Sequence, residues 1–483
     1  MFIRLTSAVN IAVRKTFRRA ATGKAQPAPN GNGHSYGQNG NGPMETTPLL
    51  PEGHVTQGDD ESSWRAVLFD RKRTPGTDSH NPLVWIPAVV WNVFKVTLLS
   101  SWINTLLVFV PIGIYAGNKE WGAAWVFSLN FFAIIPLAAV LSFATEEIAH
   151  RLGETLGGLV NATFGNAVEL IVSIVALRAG EIEVVQASML GSILSNLLLV
   201  LGMCFLLGGL YNMRDINGLG AEQSFAQGTA QTTCSLMALA SASMIIPAAL
   251  YNVMEGTNNE KDKETSILFL SRGTSAILLL LYCMYLYFAL YTHKQLFESE
   301  AQTPVVEEGQ EEHEETILSP WAAAIVLIVT TLVISVCADH MVASIDDLAA
   351  TGKISKTFIG LILIPIVGNA AEHVTACVVA VKNKMDLAMG VAIGSSIQIA
   401  LLVTPALVML GWAIGQPMTL HFETFETIAF ALSVMVVTYT VQDGKSNYLE
   451  GAMLLGLYLI IAVAFWASPG DTIAKPLATL TGQ

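Results

Sequence analysis

The chain is poor in charge. Only 13% of its 483 residues are Asp, Glu, Lys or Arg, against about 25% in an ordinary soluble protein. That excludes a water-facing surface of ordinary make-up. Cysteine is scarce as well. Cys204, Cys234, Cys283, Cys337 and Cys377 are odd in number, form no CxxC pair and all lie in apolar blocks. Neither a disulfide framework nor a zinc ribbon is supported, and the five read as small core residues. The apolar blocks hold no HExxH or GxSxG motif, which removes the usual machinery of an intramembrane hydrolase. No cleavable secretory signal is visible.

What the chain does have is apolar length. Hydrophobic residues make up 52% of it, gathered in stretches such as Leu99 to Ala116 that are long enough to cross a bilayer. Eleven spans are expected, at roughly 99–116, 122–147, 154–179, 184–210, 228–250, 266–291, 320–343, 355–381, 385–413, 424–441 and 447–467. The fold class is therefore an all-α polytopic membrane protein embedded in the lipid bilayer. Segment 82–98 is apolar too, but Lys95 and two tryptophans assign it to the interface. The domain plan is a disordered tail at 1–80, an N-terminal membrane segment at 81–119 and a five-helix unit at 120–291. An acidic linker at 292–319, a second five-helix unit at 320–467 and a C-terminal tail at 468–483 follow.

The tail is rich in Gly, Asn, Pro, Ser and Thr, which suits disorder. Its first 24 residues carry six basic side chains and no acid; a mitochondrial transit peptide and an interfacial basic helix both fit. Glu45 through Leu50 resembles an acidic dileucine sorting signal. Arg65, Arg71, Lys72 and Arg73 precede the first membrane segment, so the N-terminus is expected in the cytosol. Eleven spans then put the acidic linker, with Glu298, Glu300, Glu307, Glu308, Glu311, Glu312, Glu314 and Glu315, in the cytosol also. It reads either as a solvated loop or as a cation-attracting, regulatory helix. The formal charge of −13 suits cation traffic, and no nucleic-acid partner is expected.

Residues 165–202 align with 368–405 without a gap at an offset of 203, with ten identities in 38 positions. Gly165/Gly368, Asn166/Asn369, Glu169/Glu372, Gly191/Gly394 and Ser192/Ser395 all coincide. Apolar composition alone does not place five glycine and polar residues in register. After one extra N-terminal helix, spans two to six and seven to eleven form two repeats. Five being odd, the second repeat is inverted, an architecture that sets a substrate site at the repeat interface near the midplane.

Glu169 and Glu372 each fall about fifteen residues into a span. A carboxylate at that depth is costly, by roughly 2.5–3.5 kcal/mol on insertion scales for Asp, and rarely lacks a partner. Asn166 and Asn369 precede them at i, i+3 and share their helix faces. Gly165 and Gly368 can loosen the backbone and free carbonyls as ligands. In each half a Gly-Ser pair follows on the next span, its Ser 23 residues after the Glu. Ser192, Ser195, Asn196, Ser395, Ser396 and Gln398 then either complete a polar lining or make helix-to-helix hydrogen bonds.

All of these donors are oxygens. Six to eight oxygens in flexible geometry suit Ca2+, with Mn2+ second, whereas zinc favours nitrogen and sulfur. Two carboxylates also neutralise one divalent ion. Buried and paired, they favour protonation, so H+ and Ca2+ compete for one site. His373 replaces Leu170 of the first half and adds a titratable group, or is simply a packed histidine. Glu146, Glu147, His150, Asp339, His340, Asp346 and Asp347 lie near span ends, where solvated or vestibule roles are expected. No cofactor is expected beyond the transported ions.

GNAVEL and GNAAEH, each followed by a GS-containing helix, resemble the two alpha repeats of the calcium/cation antiporter superfamily. With the stretch Ser271 to Phe288, GNAAEH is similar to the Ca2+/H+ exchanger family and its fungal vacuolar members. The resemblance covers about 99–467. It implies Ca2+ loading into the vacuole driven by the proton gradient, a place in the vacuolar membrane, and Glu169 and Glu372 as the ion-binding carboxylates. It also implies a cytosolic acidic helix between spans six and seven, and the family's histidine falls on His373. A Na+-coupled exchanger of the same superfamily and a passive cation channel stay open as alternatives.

Overall fold

A computed structural model describes residues 74, 76–77, 79–215, 218–254, 260–294, 317–351 and 354–467. The basic start of the chain, the dileucine-like segment, most of the acidic linker and the C-terminal tail lie outside the described residues.

In lipid every backbone N–H and C=O needs an internal partner, and the described part is accordingly helical, with only short two-residue strand pairs between helices. Among the described residues, seven helices are long and apolar enough to cross a membrane, and up to nine if each of two bent pairs counts as one span. The bent pairs are Pro82–Leu98 with Trp102–Asn118, at 110°, and Lys356–Gly368 with Ala370–Val381, at 59°. Thr424–Thr440 is apolar but shorter. The expected third span is divided between the end of Ala123–Phe164 and the helix Ala167–Ala179.

The sharp bend after Leu98 suits a segment lying along the interface, but Lys95 does not mark that interface. It is 2% exposed and donates from Nζ to Thr74 Oγ1 at 2.8 Å. Gly153, at φ 77°, breaks the helix Ala123–Phe164, a left-handed conformation that favours glycine. Glu147 is not solvated. Its carboxylate accepts from the backbone N–H groups of Ile317 (3.1 Å) and Leu318 (3.0 Å), while Arg151 donates to Leu318 O. The two thus tie the start of Pro320–Ala343 to the end of the second span. Of the cysteines, Cys204, Cys234 and Cys337 are buried and Cys377 is half-buried, but Cys283 is exposed on the apolar outer surface.

Close helix approach depends on a few glycines. A Cβ on Gly191 would run into the backbone carbonyl of Leu361, and one on Gly360 would lie 2.8 Å from Ala187 Cβ. The helix Ile182–Leu194 is thereby pressed onto the turn Ile359–Leu363. Ala187 and Leu361 of this contact belong to the main hydrophobic core, which runs through the two expected halves.

Candidate cation site

Each Gly-Asn pair interrupts a helix. Asn166, at φ −100° and ψ 27°, separates Phe164 and Gly165 from Ala167–Ala179. Asn369, at φ −91° and ψ 4°, separates Ile364–Gly368 from Ala370–Val381. Both glutamates therefore stand in the first turn of a new helix. There the free N–H groups and the positive end of the helix dipole offset part of the cost of a buried carboxylate.

The two interruptions meet. A Cβ on Gly368 would lie 2.8 Å from Glu169 Oε1, so only glycine lets the second interruption approach the first carboxylate this closely. Glu169 is 5% exposed, and Glu372 lies within electrostatic range of it. A hydrogen-bonded chain crosses between the halves. Asn196 Nδ2 donates to Ser395 Oγ at 3.0 Å, Ser395 donates to Asn166 Oδ1 at 2.8 Å, and Asn166 Nδ2 donates to Gln398 Oε1 at 2.6 Å. Ser195 Oγ stands 3.3 Å from His373 Nε2.

The buried oxygens without a hydrogen-bond partner include four at the two interruptions and the helix beside them: Glu169 Oε2, Glu372 Oε2, Asn369 Oδ1 and Asn196 Oδ1. Leaving such acceptors unpaired costs about 1–3 kcal/mol each, more for charged groups. Two carboxylate and two amide oxygens are a hard donor set, the chemistry a Ca2+ ion accepts. Among the described residues no three His, Cys, Asp or Glu side chains gather as a metal cluster. Any further ligands of a cation held here are amide, hydroxyl or backbone oxygens.

A cavity of about 510 Å³ leads to this place. Its walls carry Glu146 and Asp386 as well as Glu372, Gly165, Ser395 and Gln398. Glu372 therefore faces open space, whereas Glu169 is sealed beneath Gly368. Not every candidate joins. Ser396 Oγ turns back to Ala392 O in its own helix at 2.9 Å, and Ser192 is buried on the helix that packs against Leu361. Of the span-end acids, Glu146 does reach the cavity, while Asp346 is exposed and pairs with Lys356.

Sequence reasoning missed Ser173, whose Oγ is buried and unpartnered one turn after Glu169. Its i, i+4 spacing from the glutamate was the available signal. It also missed Asn161, Thr229 and Thr233 on the cavity wall. Nothing in their local sequence sets them apart from ordinary polar residues of a span.

Broken helices that bring paired carboxylates together inside an apolar bundle define the class: a polytopic helical membrane carrier of cations. Residues 122–291 and 322–467 match the family model described as sodium/calcium exchanger protein, and the chain belongs to that family. A vacuolar calcium ion transporter of Schizosaccharomyces pombe is 49% identical over 376 residues, covering 78% of this chain and 87% of its own. A Ca2+/H+ antiporter of Aphanothece halophytica is 42% identical over 370 residues, covering 75% and 96%. The crystal structure of the Ca2+/H+ antiporter protein YfkE, 36% identical, superposes with a TM-score of 0.61 over 75% of this chain and 97% of that one.

Proposed function

We propose that the protein is a secondary antiporter that loads Ca2+ into the vacuole in exchange for luminal H+. The observation that carries this reading is the meeting of Gly368 with the Glu169 carboxylate. It joins two acids and two amides from both parts of the chain into one oxygen-lined place. The names carried by the relatives support Ca2+ as cargo and H+ as the coupling ion. Eleven spans in two inverted five-helix repeats, with a cytosolic N-terminus, complete the architecture of this reading.

With that orientation the cavity opens to the cytosol, since Glu146 and Asp386 lie at the cytosolic ends of their helices. Deprotonated Glu169 and Glu372 take Ca2+ from the cavity, together with Asn369, Asn196 and backbone carbonyls near Gly165 and Gly368. The halves rock, the site turns to the acidic lumen, and protons replace the ion on the same carboxylates. His373, held by Ser195, stands beside this exchange and takes part in proton coupling. Mn2+, also a hard cation, fits the same donors.

The test is uptake into proteoliposomes with an imposed pH gradient and Ca2+, Mn2+ and Na+ supplied in competition. Ca2+ accumulation that collapses with the pH gradient at fixed Na+ supports the reading. Accumulation that persists without the gradient and follows Na+ instead assigns the protein to the Na+-coupled branch, and downhill flux alone makes it a channel.

A further inference from the structure

The 203-residue register extends upstream of the Gly-Asn pairs, where Gly157 and Gly360 also coincide. It maps the close contact of Ile182–Leu194 with the 359–363 turn onto a second pair of segments. Gly191 becomes Gly394, Ala187 becomes Gly390, Gly360 becomes Gly157 and Leu361 becomes Gly158. In the structure this second pair is apart, and the cavity lies between its members. Gly158, Gly390 and Gly394 are all on the cavity wall. A Cβ on Gly390 or Gly394 would meet nothing within 4 Å, whereas a Cβ on Gly191 would strike Leu361.

We infer that the cavity closes when the Met385–Gln398 helix docks on the 156–160 turn, with Gly394 against the backbone at Gly158. This would copy the contact now made by Gly191 on Leu361. The inference rests on the antiport reading and adds the residues that form the second barrier. Three observations converge on it: the close-packed contact, the register and the location of the space. A glycine at 394 has no local reason to be one, since its surroundings are empty and its helix would be firmer with alanine. A close approach in another state supplies the reason.

The two barriers are not equal. The close-packed one brings together Leu361, Ile364 and Ala187, whereas the matching positions on the open side are Gly158, Asn161 and Gly390. At these three matched positions the open side offers less apolar area to bury and an amide to desolvate.

Two variants of the full chain test this in proteoliposomes. The first is a G158C/G394C double variant in which the five native cysteines are replaced and a protease site is placed in the acidic linker. During turnover with Ca2+ and a pH gradient, a thiol oxidant should join its two proteolytic fragments. Transport should fall at least tenfold and return on reduction. Without substrates the fragments should join several-fold more slowly. Full transport with no cross-link would overturn the inference. The second is G394L, expected to bind 45Ca2+ from the cavity side within about threefold of wild type, because the present form has room for the side chain. Its transport should fall at least tenfold, and wild-type transport would equally overturn the proposal. If wild-type uptake proves Na+-driven, the coupling assignment fails while the cross-link, formed under Na+ turnover, still reports the barrier.

Discussion

The two Gly-Asn-x-x-Glu segments share a backbone plan and differ in what holds their asparagines. Both ends of the Asn166 amide are engaged, by Gln398 and Ser395. Both ends of the Asn369 amide are buried and unpartnered. Part of the cause is one position, although Ser192, the match of Ser395, also leaves Asn369 unheld. Where the second half has Gln398, long enough to reach across, the matching residue of the first half is Ser195, which is too short and stands beside His373 instead. One asparagine is structural in this state, and the other has an oxygen to offer. An internal repeat thus supplies two copies of a scaffold without two copies of a site.

Replacing the carboxylates should do most to erase this comparison. E372Q and E169Q should each lower proton-driven Ca2+ uptake at least about 100-fold, since partners one shell further from a metal already cost 10–100-fold. Either variant transporting at more than a tenth of the wild-type rate would remove its glutamate from the site. The asparagines sharpen the contrast. N369A should weaken Ca2+ binding roughly tenfold with little change in thermal stability. N166A should do the reverse, losing about 1–3 kcal/mol by stranding Gln398 and Ser395. Ca2+ titration and thermal unfolding in detergent on the same samples separate the two. Equal behaviour would show that the difference in their hydrogen bonding carries no weight.

The glycines give a smaller effect of the same kind. G191A forces a methyl group onto the Leu361 carbonyl and should cost about 1–3 kcal/mol, as overpacking does. G394A meets open space in the present structure and should leave stability within about 0.5 kcal/mol of wild type. Thermal midpoints with the site held Ca2+-free in neutral detergent check both.

Much of this could be read from residues alone because membrane physics leaves few options. Apolar blocks announced the helices, and a 203-residue register announced that Glu169 and Glu372 belong together. Long-range side-chain reach was not readable. That Gln398 would hold Asn166, or that Gly368 would lie against Glu169, depends on helix crossings that no spacing encodes. Glu147 illustrates the limit: its place at a span end suggested solvent, yet two backbone amides 170 and 171 residues away take up its carboxylate. Lys95 is similar, buried against Thr74 where its charge argued for the interface. Nor could sequence tell which side of the molecule is open, since both sides use matching positions.

The cavity is also a volume of solvent. Its 510 Å³ holds on the order of ten or more waters, which would leave with the closure inferred above. Transport is then coupled to the activity of water as well as to Ca2+ and protons. A solute too large to enter, added on the cavity side, should favour the shut form by osmotic stress.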